Sequence, residues 1–121
     1  MKLNLVLHGR PITKKNSPRI VGGRYPRLLP SKAYVEYEKD CLYQLLGQNQ
    51  NINEKINLKC VYYMPTRHKV DLGNLLAATC DILVKAGVIE DDNSRIVVSH
   101  DGSRVEYDKE NPRVEIEIRR V

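Results

Sequence analysis

The sequence contains no phenylalanine and no tryptophan, and only three of its 121 residues are cysteine. A hydrophobic core must therefore be built from aliphatic side chains and from the seven tyrosines. The length is sufficient for one domain with a single core and too short for two such domains. The sequence accordingly predicts one domain over residues 1–121.

The cysteines match neither the spacing of a zinc site nor a disulfide framework. Cys41, Cys60 and Cys80 are odd in number and far apart. We expect them to be reduced, mostly buried small side chains, which is typical of a cytoplasmic protein. No segment approaches the roughly 20 apolar residues that cross a bilayer, and residues 2–7 lack the apolar run of a secretion signal. The sequence thus predicts no membrane partner.

The net charge of the chain is +5, and its distribution is uneven, because no acidic residue precedes Glu36. The basic residues of this opening part are Lys2, Arg10, Lys14, Lys15, Arg19, Arg24, Arg27 and Lys32. A block of one sign is typical of a surface that binds a polyanion. A solubilising surface is the alternative, but such surfaces normally mix both signs. The asymmetry therefore favours nucleic acid as a partner.

A long connection follows the first predicted strand, which covers residues 3–8. Residues 9–30 far exceed the usual connection of about 4–6 residues, and their prolines exclude a helix. These prolines are Pro11, Pro18, Pro26 and Pro30. Residues 20–25 predict a tight hairpin with a Gly-Gly turn. We interpret residues 9–30 as a basic flap, a mobile arm that orders when it grips a phosphate backbone.

Hydrophobic periodicity predicts the remaining elements, and both helices begin after a capping residue and end at a glycine. The helices are expected over residues 32–46 and 72–86, and further strands over 56–64, over 95–107 with a break near Gly102, and over 114–118. The apolar positions of the first helix are Tyr34, Val35, Cys41, Leu42, Leu45 and Leu46. The order β-α-β-α-β-β predicts an α+β domain with a mixed sheet and both helices on one face.

Basic and acidic residues adjoin one another around the second helix. Arg67, His68 and Lys69 precede Asp71, and the acidic run 90–92 follows the helix. Magnesium-dependent phosphodiesterases need this combination, because acids hold the metal and bases hold the phosphates. A structural interpretation is also open, in which Asp71 caps the helix and the acidic run is a solvated turn.

Residues 71–83 (DLGNLLAATCDIL), followed by Ala86-Gly87 and the acidic run, resemble the RusA family of Holliday-junction resolvases. Residues 8–16 are similar to the opening segment of that family and residues 107–116 to its closing strand, so the similarity covers nearly the whole chain. The resemblance implies a small homodimeric endonuclease that nicks four-way DNA junctions in recombination and repair. It also implies Mg²⁺ as the cofactor, for which Mn²⁺ can substitute.

The resemblance assigns roles to particular residues. Asp71 and Asp92 would hold the metal and act in catalysis, with Asp91 as an assisting acid. The charge pattern, not the resemblance, indicates the residues that would bind the DNA backbone: Lys14, Lys15, Arg19, Arg24, Arg67 and Lys69. A two-fold symmetric dimer would present one site to each of two opposed strands of a junction.

Two positions depart from the family pattern. Gly73 stands where the family usually has a second catalytic aspartate, and Ala77 stands where it commonly has a lysine. The two positions are one helical turn apart, so an acid and a base that would face each other are both absent. A coupled loss of catalytic residues and a rearranged site both fit. The alternative function is therefore a junction-binding protein that cuts weakly or not at all. An RNA-binding module is a weaker alternative, because the tyrosines do not form its aromatic strand pattern.

Helix length restricts how the acids can meet. A helix over residues 72–86 is about 22 Å long, and residues 87–92 reach back at most about 20 Å. Asp71 and Asp92 can therefore meet within one subunit only if the chain returns tightly along the helix. Otherwise the carboxylates converge across a dimer.

Overall fold

A computed structural model describes residues 1–15 and 19–121. Asn16 and Pro18, which belong to the predicted opening segment and flap, lie outside the described residues. The described elements, in chain order, are β1 (Lys2–His8), β2 (Arg19–Val21), β3 (Arg27–Leu29), α1 (Lys32–Gln44), β4 (Ile56–Met64), α2 (Leu72–Lys85), β5 (Val97–Ser99), β6 (Arg104–Tyr107) and β7 (Arg113–Arg120). No helix within these ranges is long and apolar enough to span a membrane.

The main sheet is mixed, as predicted. Its order is β1-β7-β4-β5, and β6 also pairs with β4. Strand β7 runs antiparallel to both β1 and β4, whereas β5 and β6 run parallel to β4. The long strands β4 and β7 therefore occupy the centre, and they carry the alternating apolar residues that the sequence shows.

The core lies between one face of this sheet and the two helices, which confirms the predicted α+β architecture. Alternate residues of β4 and β7 are buried on this face, and α1 and α2 cover it with their own apolar residues. The hydroxyls of Tyr62 and Thr79 form a buried hydrogen bond of 2.7 Å between β4 and α2. This bond satisfies two polar groups that would otherwise destabilise the core.

Helix α2 begins and ends where the sequence predicts. The Asp71 side chain caps its N-terminus by accepting the amide of Asn74 at 3.0 Å. Gly87 follows the helix with a φ of +74°, a left-handed conformation that glycine adopts without strain. The chain then returns beside residues 51–52, where Ile52 forms a parallel bridge with Ile89. This bridge sets the position of the acidic run.

The predicted apolar face of α1 is partly wrong. Tyr34, Tyr37 and Cys41 face the core, whereas Val35 is 46% exposed and Leu46 is 73% exposed. Val35 lies about 100° around the helix from Tyr34, on the solvent side. The helix also ends at Gln44 rather than at residue 46, so helical periodicity does not apply to Leu46.

The predicted hairpin exists, but its turn is longer than expected. Residues 22–26 connect β2 to β3, and Ile20 pairs with Leu28. A two-residue Gly-Gly turn is therefore wrong, and Arg24 and Tyr25 lie in the connection instead of a strand. The chain reverses at Gly22, where φ is +98° and an added Cβ would lie 2.8 Å from the carbonyl oxygen of Tyr25.

The predicted strand over residues 95–107 is two shorter strands, β5 and β6, separated near Gly102 as expected. Gly102 has a φ of +88°. Both strands run parallel to β4 and shield parts of the same edge. This arrangement brings Tyr107 beside Met64, at the end of β4 from which the basic loop departs.

Candidate active site

The loop over residues 65–71 carries the predicted basic cluster from β4 to α2. Residues 66–71 are exposed throughout. The Arg67 guanidinium lies 4.2 Å from the ring centroid of Tyr107, a cation–π contact that holds it at the sheet edge. Lys69 lies two residues before Asp71 on the same loop. Arg67, Lys69 and Asp71 therefore lie on one short, exposed segment.

Asp71 fulfils the structural interpretation, because its Oδ1 atom caps α2. This bond uses one carboxylate oxygen, so capping is compatible with metal binding through the other. An added Cβ at Gly73 would lie 3.1 Å from Asp71 Oδ1. A carboxylate at position 73 would therefore stand beside that of Asp71. Gly73 leaves this place at the N-terminus of α2 without a side chain.

The acidic run forms a turn held by its own side chains. Asp91 accepts the amide of Asp92 at 2.8 Å and the side-chain amide of Asn93 at 2.9 Å. Asn93 in turn accepts the amide of Arg95 at 2.9 Å. These hydrogen bonds, led by the Asp92 amide, hold the pKa of Asp91 below its ordinary value. Asp91 is therefore an ionised residue with a structural task in the turn.

Asp92 has the opposite electrostatic environment. Asp92 is exposed, but partial loss of hydration still raises its pKa above the ordinary value, and the Asp91 carboxylate and then that of Asp81 raise it further. The pKa of the Cys80 thiol is also raised, to about 12. Burial is the largest cause, and the charges of Asp92 and Asp81 add to it. Asp92 is thus within electrostatic reach of Cys80 and Asp81, near the middle of α2.

Asp81 is a residue of α2 that the predicted site does not include. Its carboxylate forms an ion pair with Lys14 of the flap. Positions 73, 77 and 81 are spaced by four residues and lie on one face of α2. This spacing could have indicated from the sequence that Asp81 lies on the same helix face as the two positions that depart from the family pattern. Lys14 therefore contacts the same face of α2 on which Gly73 and Ala77 replace an acid and a base.

Asp71 and Asp92 are not brought together by these contacts. Asp71 is not among the main contributors to the raised pKa of Asp92, and it lies about 15 Å along α2 from Asp81. Within residues 1–15 and 19–121, no three His, Cys, Asp or Glu side chains converge to hold a metal ion. A shared site for Asp71 and Asp92 therefore stays a prediction.

The other predicted DNA contacts differ in their availability. Lys15 and Arg24 are exposed, and Arg24 lies 5.7 Å from the ring centroid of Tyr25 at the end of the hairpin. Arg19 is half-buried, and its Nε donates to the carbonyl of Pro30 at 3.1 Å. Arg19 thus ties the hairpin to the start of α1, whereas Lys15 and Arg24 face solvent.

Comparison with known families identifies the chain. The sequence model described as Endodeoxyribonuclease RusA matches residues 8–119. The chain belongs to this family. The resemblance of residues 71–92 to RusA proteins is therefore confirmed, as is the prediction of an endodeoxyribonuclease. The RusA match includes the basic loop, α2 and the acidic turn.

A relative agrees with this RusA assignment. The crossover junction endodeoxyribonuclease RusA of Aquifex aeolicus (strain VF5) is 26% identical over 117 residues, which cover 95% of this chain and 90% of the relative. The similarity is thus spread over the full domain and is not confined to the segment around α2.

Proposed function

We propose that the protein is a metal-dependent endonuclease that resolves four-way DNA junctions by paired nicks, in recombination and repair. The observation that carries the proposal is the exposed loop that places Arg67 and Lys69 just before Asp71 at the N-terminus of α2. A divalent cation bound by that carboxylate would lie beside side chains that can hold a phosphate. Membership of the RusA family and the name of the Aquifex relative support this class of substrate.

The donor set fits Mg²⁺, with Mn²⁺ as a substitute. Both ions prefer oxygen ligands, and Mg²⁺ needs only one or two protein carboxylates because it keeps several waters. The cysteine thiols, which would favour softer metals, are buried. Asp92 and Asp71 would hold the ion. When bound, the ion would lower the pKa of a water molecule and neutralise charge on the attacked phosphate.

The protein side chains would orient the DNA around these carboxylates. Arg67 and Lys69 would bind the backbone beside the cleaved bond, and Lys15 and Arg24 would extend the contact along the flap. Asp91 would fix the turn that presents Asp92. Lys14 would attract the DNA backbone less strongly than the other flap cations, because it forms an ion pair with Asp81.

A homodimer would complete the proposed enzyme. A two-fold axis would relate two sites to the two opposed strands of a junction, so that one binding event produces paired nicks. A dimer would also give a second route by which Asp71 and Asp92 could meet. The three reduced, buried cysteines fit a cytoplasmic protein.

Gly73 and Ala77 favour a second candidate function, a junction-binding protein with weak or no cleavage. The first turn of α2 carries no acidic residue, so an aspartate at position 73 is not replaced within that turn. Under this proposal the basic loop and flap keep their affinity for DNA, while metal binding is weakened.

A nicking assay on a synthetic four-way junction separates these functions. Junction and linear duplex of the same sequence are incubated with Mg²⁺, Mn²⁺ or chelator. Symmetric nicks on the junction that need the metal support the resolvase. The Asp92→Asn variant should lose the nicks, whereas Asp101→Asn, a matched change at an exposed acid near Gly102, should keep them.

Tight junction binding by the wild type without nicks supports the second function. Cleavage of junction and duplex at equal rates would contradict the proposed junction selectivity. Wild-type nicking by Asp92→Asn would contradict its place in the site.

A further inference from the structure

A cavity of about 210 Å³ lies between the start of the flap and the loop from β4 to α2. Arg10 and Thr13 line it from the flap, and Thr66, His68 and Lys69 line it from the loop. The cavity is larger than the roughly 30 Å³ that one water molecule occupies in the liquid. The space is therefore sufficient for a polyatomic ligand.

The side chains of this cavity are suited to an anion. Arg10 and Lys69 are cations, the His68 imidazole can donate an N–H, and both threonines carry hydroxyl donors. No carboxylate is among the lining residues that the structure describes. Arginine can hold two oxygens of a phosphate at once, and such charged hydrogen bonds are stronger than neutral ones. The remaining lining includes buried Met64, which limits competing water on that side.

Hydrogen bonds hold the backbone at the base of each wall of the cavity. The backbone of His8 exchanges two hydrogen bonds with the Gln44 side chain, at 2.8 and 2.9 Å, and the Gly9 amide donates to Pro112 at 3.0 Å. These bonds hold the chain just before Arg10. On the other side, the carbonyl of Met64 accepts the amide of Asp108 at 2.9 Å. A site assembled before binding loses less free energy to ordering.

The cavity also has a defined position relative to the candidate active site. Its lining ends at Val70, the residue before Asp71. The N-terminus of α2 therefore lies next to it, and the helix dipole there favours an anion. Arg67 is not part of the lining, because its guanidinium lies over Tyr107.

We propose that this cavity binds a backbone phosphate of the DNA strand, next to the phosphate that is cleaved, with Arg10 as its principal ligand and His68 and Lys69 beside it. This inference rests on the proposed endonuclease function, since it names the part of the substrate that the cavity receives. Arg10 and His68 thereby join the residues that position the DNA.

The test uses inorganic phosphate as the probe, without DNA or metal. The ¹⁵N-labelled protein is titrated at constant ionic strength, and amide shifts are followed by NMR. Saturable shifts are expected at Thr13, Thr66 and Lys69. The Arg10→Gln variant should bind phosphate about tenfold more weakly, and Arg10→Lys should fall between the two. Arg120→Gln is the matched control, because Arg120 is exposed at the opposite end of the sheet.

Two results would overturn the proposal. One is the absence of saturable shifts around the cavity in the wild type. The other is equal phosphate affinity of Arg10→Gln and Arg120→Gln. Failure of the proposed function is distinguishable from both: a protein that binds phosphate here and never nicks a junction keeps the cavity and loses the enzyme. A protein that nicks junctions without phosphate binding here keeps the enzyme and loses the cavity.

Discussion

The Gly73→Asp variant tests directly whether the missing acid limits metal binding. Position 73 is the second residue of α2, and an added Cβ there lies 3.1 Å from Asp71 Oδ1. The new carboxylate would therefore stand beside Asp71, which must shift by a few tenths of an ångström. Because the clash is with the end of a flexible side chain, the helix itself can remain unchanged.

Without metal, the effects on stability oppose one another. Replacing glycine by aspartate in a helix gains about 0.3 kcal/mol in propensity. An acid in a first turn that has none gains about 0.3–1 kcal/mol from the helix dipole. Repulsion between two carboxylates at about 4 Å costs from about 1 kcal/mol in water to about 4 kcal/mol at a protein surface. We therefore expect a free energy of unfolding that is unchanged or lower by up to about 3 kcal/mol.

A bound divalent cation would offset this repulsion. The measurement is the free energy of unfolding with and without Mg²⁺ or Mn²⁺, and metal at 100 times its dissociation constant adds about 2.7 kcal/mol. Gly73→Asp should show a larger metal-dependent increase than the wild type. Gly73→Ala is the control, because it stabilises α2 by up to about 1 kcal/mol whether or not metal is present.

Cleavage should follow metal binding. We expect weak nicking by the wild type, better with Mn²⁺, a marked gain in Gly73→Asp, and a larger gain when Ala77→Lys is added as its partner one turn away. Equal metal-dependent stabilisation of Gly73→Asp and Gly73→Ala would refute the reasoning. So would strong wild-type cleavage that Gly73→Asp does not improve, since other acids would then already fill the role.

Three further predictions concern charge. Junction affinity should fall roughly 10³–10⁵-fold between about 50 and 200 mM salt if six to ten phosphates are contacted. Charge reversal of Lys14 and Lys15 should make the affinity less dependent on salt. An affinity independent of salt in the wild type would contradict DNA binding by the flap. Because the pKa of Asp92 is raised, metal-dependent nicking should be lost on acidification at a higher pH than for an ordinary aspartate. The same shift means that ionised Asp92 lowers stability above its folded pKa, so Asp92→Asn should be more stable than the wild type at neutral pH. That difference should vanish as the pH falls below the unfolded pKa, and urea titrations across pH would reveal a constant difference if the environment of Asp92 were ordinary.

Local signals explain why α2 and the long strands could be predicted. Asp71 and Gly87 are residues that begin and end a helix through contacts within a few positions, and alternation along residues 56–64 needs no knowledge of partners. The resemblance to the RusA family likewise depends on the segment around α2. The sequence therefore predicts the frame on which the candidate site is built.

The remaining features depend on contacts between distant segments. Nothing near Lys14 indicates that it pairs with Asp81, and nothing in residues 97–107 indicates that both short strands run parallel to β4. The cavity likewise forms only when Arg10 meets His68 and Lys69 in the fold. Periodicity alone also misplaced Val35 in the core, because it does not specify which side of an amphipathic helix meets the sheet.

The bridge between Ile52 and Ile89 has a consequence for local opening of the chain. Amides of Asn51, Ile52 and Glu90 donate across this bridge at 2.8–3.0 Å, and both isoleucines are buried. Exposed turns usually exchange their amide hydrogens through small fluctuations, whereas buried bridges exchange only when a larger unit unfolds. The acidic turn is thus attached to the slowly exchanging core. A core substitution that loosens this bridge would let Asp92 move and weaken the proposed metal binding, although no carboxylate had been changed.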